Sequence, residues 1–165
     1  MLLLDGNNAL NDGLEAGMAG GMRFEIAFAR RQRKSALMLQ VPSGLVVSSD
    51  DEVRQKLAQI LRQCALAPVL VSTVAESAAA LAGHEVLIVV CNELLDDGKY
   101  EDVVQLAVRS EMQVPVIVVS RTGDWRDYVT AMSGGVFDYL AFPPIPEDLQ
   151  RTIRNALLSQ QRRVD

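Results

Sequence analysis

"VPVIVVSRTGDWRDYVTAMSGGVFDYLAFP", residues 114–143, is the stretch that decides the fold. After Pro115 an apolar run continues to Ser120 and predicts a strand; a proline is tolerable at a strand's start, where its missing amide proton is not needed. "DWRDYVTAMSGG" predicts a helix stopped by Gly134 and Gly135. "VFDYLAF" predicts a further strand. Strands that are apolar on both faces need cover on both sides, so this unit belongs to a parallel sheet wrapped by helices.

The same alternation extends outward. "GLVVSS" from Gly44 predicts a first strand. Asp50 or Asp51 can cap the next helix, whose Val53, Leu57, Ile60, Leu61 and Cys64 form one stripe. "PVLVS" predicts the second strand, and "ESAAALAG" a short helix ended by Gly83. "EVLIVVC" predicts the third strand, closing on Cys91. "YEDVVQLAVRS" predicts a third helix with Val103, Leu106 and Ala107 inward. Pro146 opens the last helix at a first-turn position. Strands and helices alternate, five of each, which favours a doubly wound five-stranded parallel sheet in the order 2-1-3-4-5, with helices on both faces. The carboxyl ends of such strands form the site; here they fall at Ser48 with Ser49, Cys91, Ser120 and Phe142.

The chain has 165 residues, enough for one domain with a sizeable core. A net charge of −5 argues against a protein whose main task is gripping nucleic acid. No run approaches a membrane span, and "MLLLDG" is too short for a signal peptide. Cys64 and Cys91 do not make a disulfide framework, so a cytoplasmic protein with reduced thiols is expected. Composition changes near Pro42. Residues 1–42 read as an N-terminal extension, Gly-rich and flexible over the first 21 residues. Helix and strand are both open for 23–40, where Arg30, Arg31, Arg33 and Lys34 read as a solvated arm. Phe24, Ile26, Phe28, Leu37 and Leu39 are expected to dock on the domain of 43–165 or on a second copy.

From Gly44 to about residue 160 the chain resembles the receiver domain of two-component response regulators, a flavodoxin-like fold. The most specific part is the stretch quoted first; "VVSSDDEVRQKLAQIL" resembles the family's first strand and helix. The resemblance implies two acidic residues holding Mg²⁺ after strand one, a phosphoacceptor aspartate after strand three, a hydroxyl after strand four, and a lysine before a proline after strand five. This sequence departs at three of the four. The acidic pair falls on Ser48 and Ser49, the phosphoacceptor on Cys91, and the lysine on Phe142, with Pro143 beside it. Ser120 matches the hydroxyl and Tyr139 the switch aromatic. The loop "LLDDG" keeps an acidic ending but is one residue short. Phosphoryl transfer depends on positioning and charge stabilisation, so losing the metal site and the cation removes most of the catalysis.

Cys91 reads as a small, half-buried apolar filler. A thiolate nucleophile needs a lowered pKa and a cation for the phosphate. His84, the chain's one histidine, lies seven residues earlier on the same strand. That is roughly 23 Å at about 3.3 Å per residue, too far for a dyad. Asp50 and Asp51 read as helix caps and Glu93 as a solvated loop residue, with no metal site. Ser120 reads as capping its following turn. Trp125 is either a partner anchor or packed on its own loop.

The expectation is an atypical receiver domain, not an enzyme, with no cofactor and no catalytic residue. It signals by protein–protein contact without aspartyl phosphorylation. The resemblance implies a signalling partner or self-association through helix four, strand five and helix five, with Trp125, Tyr128 and Tyr139 on that face. Because no output domain follows before Asp165, output is expected to pass through that contact unless the chain is cut from a longer protein. The alternatives are a thiol-based sensor through Cys91 and a receiver phosphorylated at an unorthodox residue.

Overall fold

The computed structural model of the chain describes residues 41–164. The extension read over 1–42, with its docking side chains, therefore lies outside the described residues except for Val41 and Pro42. Five strands form a parallel sheet: β1 (Ser43–Val47), β2 (Ala67–Val71), β3 (Val86–Asn92), β4 (Val116–Ser120) and β5 (Asp138–Ala141). Their spatial order is β2-β1-β3-β4-β5, as the alternation predicts. Five helices connect and close it: α1 (Asp51–Gln63), α2 (Val74–Gly83), α3 (Tyr100–Arg109), α4 (Trp125–Ser133) and α5 (Pro146–Val164). One element was not anticipated. The acidic loop after β3 folds into a short antiparallel hairpin, with Leu94–Leu95 paired to Gly98–Lys99.

The period-two alternation of the strands sorts the core onto two faces. Leu45, Val47, Val89, Cys91, Val116, Val118 and Tyr139 pack with residues of α2, α3 and α4, including Ala80, Val103, Ala107 and Ala131. Val46, Ile88, Val90, Ile117 and Val119 pack on the other side, against Val53, Leu57 and Leu61 of α1 and Leu149 and Ile153 of α5. Central strands buried on both faces explain why β1, β3 and β4 read as continuous apolar runs.

The helix starts follow from their capping residues. Asp50 is the cap of α1 and accepts from the amides of Glu52 and Val53 at 2.9 and 3.2 Å. Thr73 caps α2, which begins before the predicted "ESAAALAG". Asp124 caps α4 in a reciprocal box with Asp127. In α3, Val104 is buried where Leu106 was expected; Leu106 is only half-buried. α4 is lightly fastened: of its nine residues only Ala131 is buried. Among the described residues no helix is long and apolar enough to cross a membrane.

Candidate functional site at the carboxyl end of the sheet

The carboxyl ends of β1, β3, β4 and β5 bring Ser48, Ser49, Cys91, Ser120 and Phe142 to one edge, as topology requires. What they do there is mostly structural. Ser48 is fully buried, and its hydroxyl accepts the Asp50 amide at 3.1 Å. The Ser49 hydroxyl donates to the Ser72 carbonyl at 3.2 Å and accepts the Asp96 amide at 3.0 Å, tying β1 to the ends of its neighbours. Arg54 reinforces this corner. Its guanidinium donates to the Ser48 carbonyl and to the Ser72 hydroxyl, and pairs with Asp51 at 3.1 Å.

Cys91 corrects one expectation. It is 0 % exposed, not half-buried, because β3 is the central strand and its side chain enters the face covered by α2 and α3. Its thiol donates to the Asn92 carbonyl at 3.0 Å. Burial, with a smaller contribution from the Glu101 charge, pushes the thiol's pKa well above its ordinary value. A sealed thiol held protonated lacks both attributes of a reactive one, which speaks against the thiol-sensor alternative.

Glu93 supplies a second correction. It is not a purely solvated loop residue: its carboxylate accepts the Ser120 hydroxyl proton. The parallel register explains the meeting. Asn92 pairs with Val119, so the next residue on each strand, Glu93 and Ser120, stands side by side. Ser120 also caps its own turn, as predicted, accepting the amides of Thr122 at 3.2 Å and Gly123 at 2.9 Å.

Phe142, after β5, holds its ring between two cations. Lys56 of α1 lies 5.7 Å and Arg121 5.1 Å from the Phe142 ring centroid. Both cations are also paired, Lys56 with Glu52 at 2.6 Å and Arg121 with Asp50 at 3.0 Å. The amide of Val53, then that of Glu52 and the charges of Arg121 and Arg54, hold the Asp50 carboxyl below its ordinary range against an opposing desolvation effect. Asp97 is likewise committed. It accepts the amides of Val74 and Ala75 at 2.8 and 3.1 Å at the start of α2, and these bonds lower its pKa.

This donor set does not fit Mg²⁺. The ion needs anionic oxygen ligands at near-octahedral geometry. The carboxyl ends of β1 and β3 offer two hydrogen-bonded serines and a protonated thiol. The nearby carboxylates of Asp50 and Glu93 are engaged by Arg121 and Ser120. Among the described residues no three His, Cys, Asp or Glu side chains converge on one point.

Tyr139, named with Trp125 and Tyr128 for the partner face, is a buried side chain. It is 8 % exposed and turns inward against the 120–124 loop, because β5 directs it into the α4-side core. It meets Tyr128 edge-to-face at 6.4 Å between centroids, and Tyr128 stacks on Trp125 at 5.3 Å. Trp125 itself is 75 % exposed. One face of its ring packs on Tyr128 of the same helix rather than on the preceding loop.

These features define a doubly wound, five-stranded parallel fold with Ser48, Ser49, Cys91, Ser120 and Phe142 at the carboxyl edge of its sheet. No protein-family model matches the chain, and no curated protein matches it by sequence. Solved structures do. A response-regulator receiver domain protein from Clostridium thermocellum is 20 % identical, with a TM-score of 0.66 over 73 % of this chain and 98 % of that one. A CheY-like receiver domain protein from Methanospirillum hungatei JF-1 is 19 % identical, with a TM-score of 0.67 over 75 % of this chain and 99 % of that one. The beryllofluoride-activated NtrC4 receiver domain dimer is 21 % identical, with a TM-score of 0.66 over 72 % of this chain and 98 % of that one. Residues 41–164 have the response-regulator receiver fold.

Proposed function

We propose that this chain is a receiver-type signalling domain that works through protein–protein contact and does not undergo aspartyl phosphorylation. The observation that carries the reading is the edge formed by Ser48, Ser49 and Cys91. It offers two neutral hydroxyls and a buried, protonated thiol where the resemblance calls for three carboxylates. Phenylalanine at the lysine position further removes the cation that would neutralise a transferred phosphoryl group. What such an edge can still do is hold a fold whose surface another protein reads. The exposed part of the α4 surface, Trp125 with Val129 beside half-buried Tyr128, supports that contact. A large aromatic at 75 % exposure is the kind of side chain that anchors interfaces.

The experiment is a titration of the full chain with Mg²⁺ and then beryllofluoride, followed by amide chemical shifts. The expected result is no saturable shift at Ser49, Cys91 or Ser120. Saturable shifts at these three would overturn the reading. Incubation with acetyl phosphate should leave the intact mass unchanged, and a gain of one phosphate would instead point to an unorthodox acceptor.

A further inference from the structure

We propose that Glu76 and Asp138, with Pro68 and Pro143, close both edges of the sheet to strand addition. A protein partner, a second copy of this chain included, then has to engage helix and loop side chains and not the backbone of an edge strand. Among the described residues the sheet ends on β2 at one side and on β5 at the other. An added strand draws on every second residue of an edge, those whose N–H and C=O point away from the sheet. The hydrogen bonds already made identify them. On β2, the Ala67 amide donates to the Pro42 carbonyl and the Val71 carbonyl accepts from the Ser48 amide, so Ala67, Val69 and Val71 turn toward β1. Pro68 and Leu70 face out, and the next residue in step is Ser72. On β5, the Phe142 amide donates to the Ser120 carbonyl, so Leu140 and Phe142 turn toward β4. Tyr139 and Ala141 face out, and the next residue in step is Pro143.

Both edges are stripped of donors in the same way. Pro68 and Pro143 have no amide proton. The Ser72 amide donates to the Glu76 carboxylate at 2.6 Å, and the Tyr139 amide to the Asp138 carboxylate at 2.9 Å. The Thr152 hydroxyl of α5 holds Asp138 in place, donating to its other oxygen at 3.1 Å. What remains among the described residues is the Leu70 amide on β2 and the Ala141 amide on β5. A single donor does not hold a ladder: its neighbours set a partner's carbonyls against a proline ring or a carboxylate. β2 needs this closure most, since its five residues are apolar and all half-buried, the composition that makes an edge strand prone to pairing. The statement about partners rests on the reading of this chain as a contact domain. The closure is a property of the chain alone, and its tests need no partner, so the two stand or fall separately.

The first test is hydrogen exchange in the full chain, followed by amide resonances and corrected for intrinsic rates. The Ser72 and Tyr139 amides should exchange more slowly than those of Leu70 and Ala141; the reverse order would overturn the closure. Glu76→Ala should speed exchange at Ser72, by up to about tenfold for a hydrogen bond of ordinary strength, and Glu76→Gln, which keeps an acceptor oxygen, should speed it less. The second test opens an edge. Pro68→Ala combined with Glu76→Ala gives β2 an unbroken row of outward donors, and this variant should self-associate with rising concentration in sedimentation velocity. Pro68→Ala combined with Glu76→Gln should sediment as the parent does. If the Pro68→Ala/Glu76→Ala variant is folded and matches the parent's sedimentation at every concentration, the closure is refuted. Equal association of both double variants refutes the part given to Glu76.

Discussion

Replacing Cys91 by aspartate tests how the central strand's end is built. A site that had merely lost its nucleophile should accept the change. The structure predicts a pH-dependent loss of stability. The side chain at this position is 0 % exposed and feels the negative charge of Glu101, and among the described residues no positive charge acts on it. An unfolded aspartate titrates near pH 3.9, and full burial raises a carboxyl by up to about 3–5 units. The introduced group's folded pKa then lies at about 7 or above. Because that value is raised, the protonated form is tolerated at low pH and stability is lost as pH rises from the unfolded value toward the folded one. The slope is about 1.4 kcal/mol per pH unit, roughly 1.5 kcal/mol by pH 5 and roughly 4 kcal/mol by pH 7. Burying even the neutral acid costs about 1–3 kcal/mol more. Against a total stability of about 5–15 kcal/mol, the variant should be folded at pH 5 and marginal at pH 7. Urea unfolding of parent and variant across this range reads the difference directly. A gap that does not widen with pH would refute the reasoning, since it would mean that the new carboxylate ionises as freely as in water. A gap that Mg²⁺ closes would refute the description of the edge as unable to hold the ion.

Gly123→Ala should destabilise by about 1–3 kcal/mol through overpacking against Tyr139, and the loss should shrink when combined with Tyr139→Phe; simple additivity in thermal or urea unfolding would contradict the contact. Tyr139→Phe alone should be neutral or slightly stabilising, because the buried hydroxyl has no hydrogen-bond partner among the described residues; a loss above about 1 kcal/mol would show that it has one. At alkaline pH the domain should weaken earlier than solvent-exposed groups would require. Burial raises Cys91, Tyr139 and Tyr100, the last to about 12 with help from Glu101. Stability tied to these groups is complete below their unfolded values, about 8.5 for cysteine and about 10 for tyrosine, and is lost as pH rises toward the folded ones. Cys91→Ala should flatten the first part of that decline in urea unfolding, and an unchanged slope would count against the buried thiol. Trp125→Ala should change stability by less than about 0.5 kcal/mol, as an exposed site does, while weakening any self-association seen by sedimentation; a large stability loss would mean that the ring is a core residue.

The fold was legible in the sequence because its signals are local. Apolar runs such as "VIVVS", capping residues such as Asp50 and Asp124, and stops such as Gly134 act within a few residues of themselves. Five alternations of strand and helix leave few ways to close a sheet. That Ser48, Ser49, Cys91 and Phe142 stand at the carboxyl ends of strands was legible too, since each apolar run marks its own end. The sequence could not show where side chains from different strands meet. Glu93 reads as a loop residue until the β3–β4 register sets it beside Ser120. The burial of Tyr139 against Gly123 shows only once β5 turns its ring toward that loop. Cys91 reads as half-buried until α2 and α3 close over the central strand. Asp97 accepts the first amides of α2, a helix that begins more than twenty residues earlier in the chain. Each depends on register, strand facing or helix cover, quantities set by packing between segments distant in the chain, so only the tertiary structure decides them.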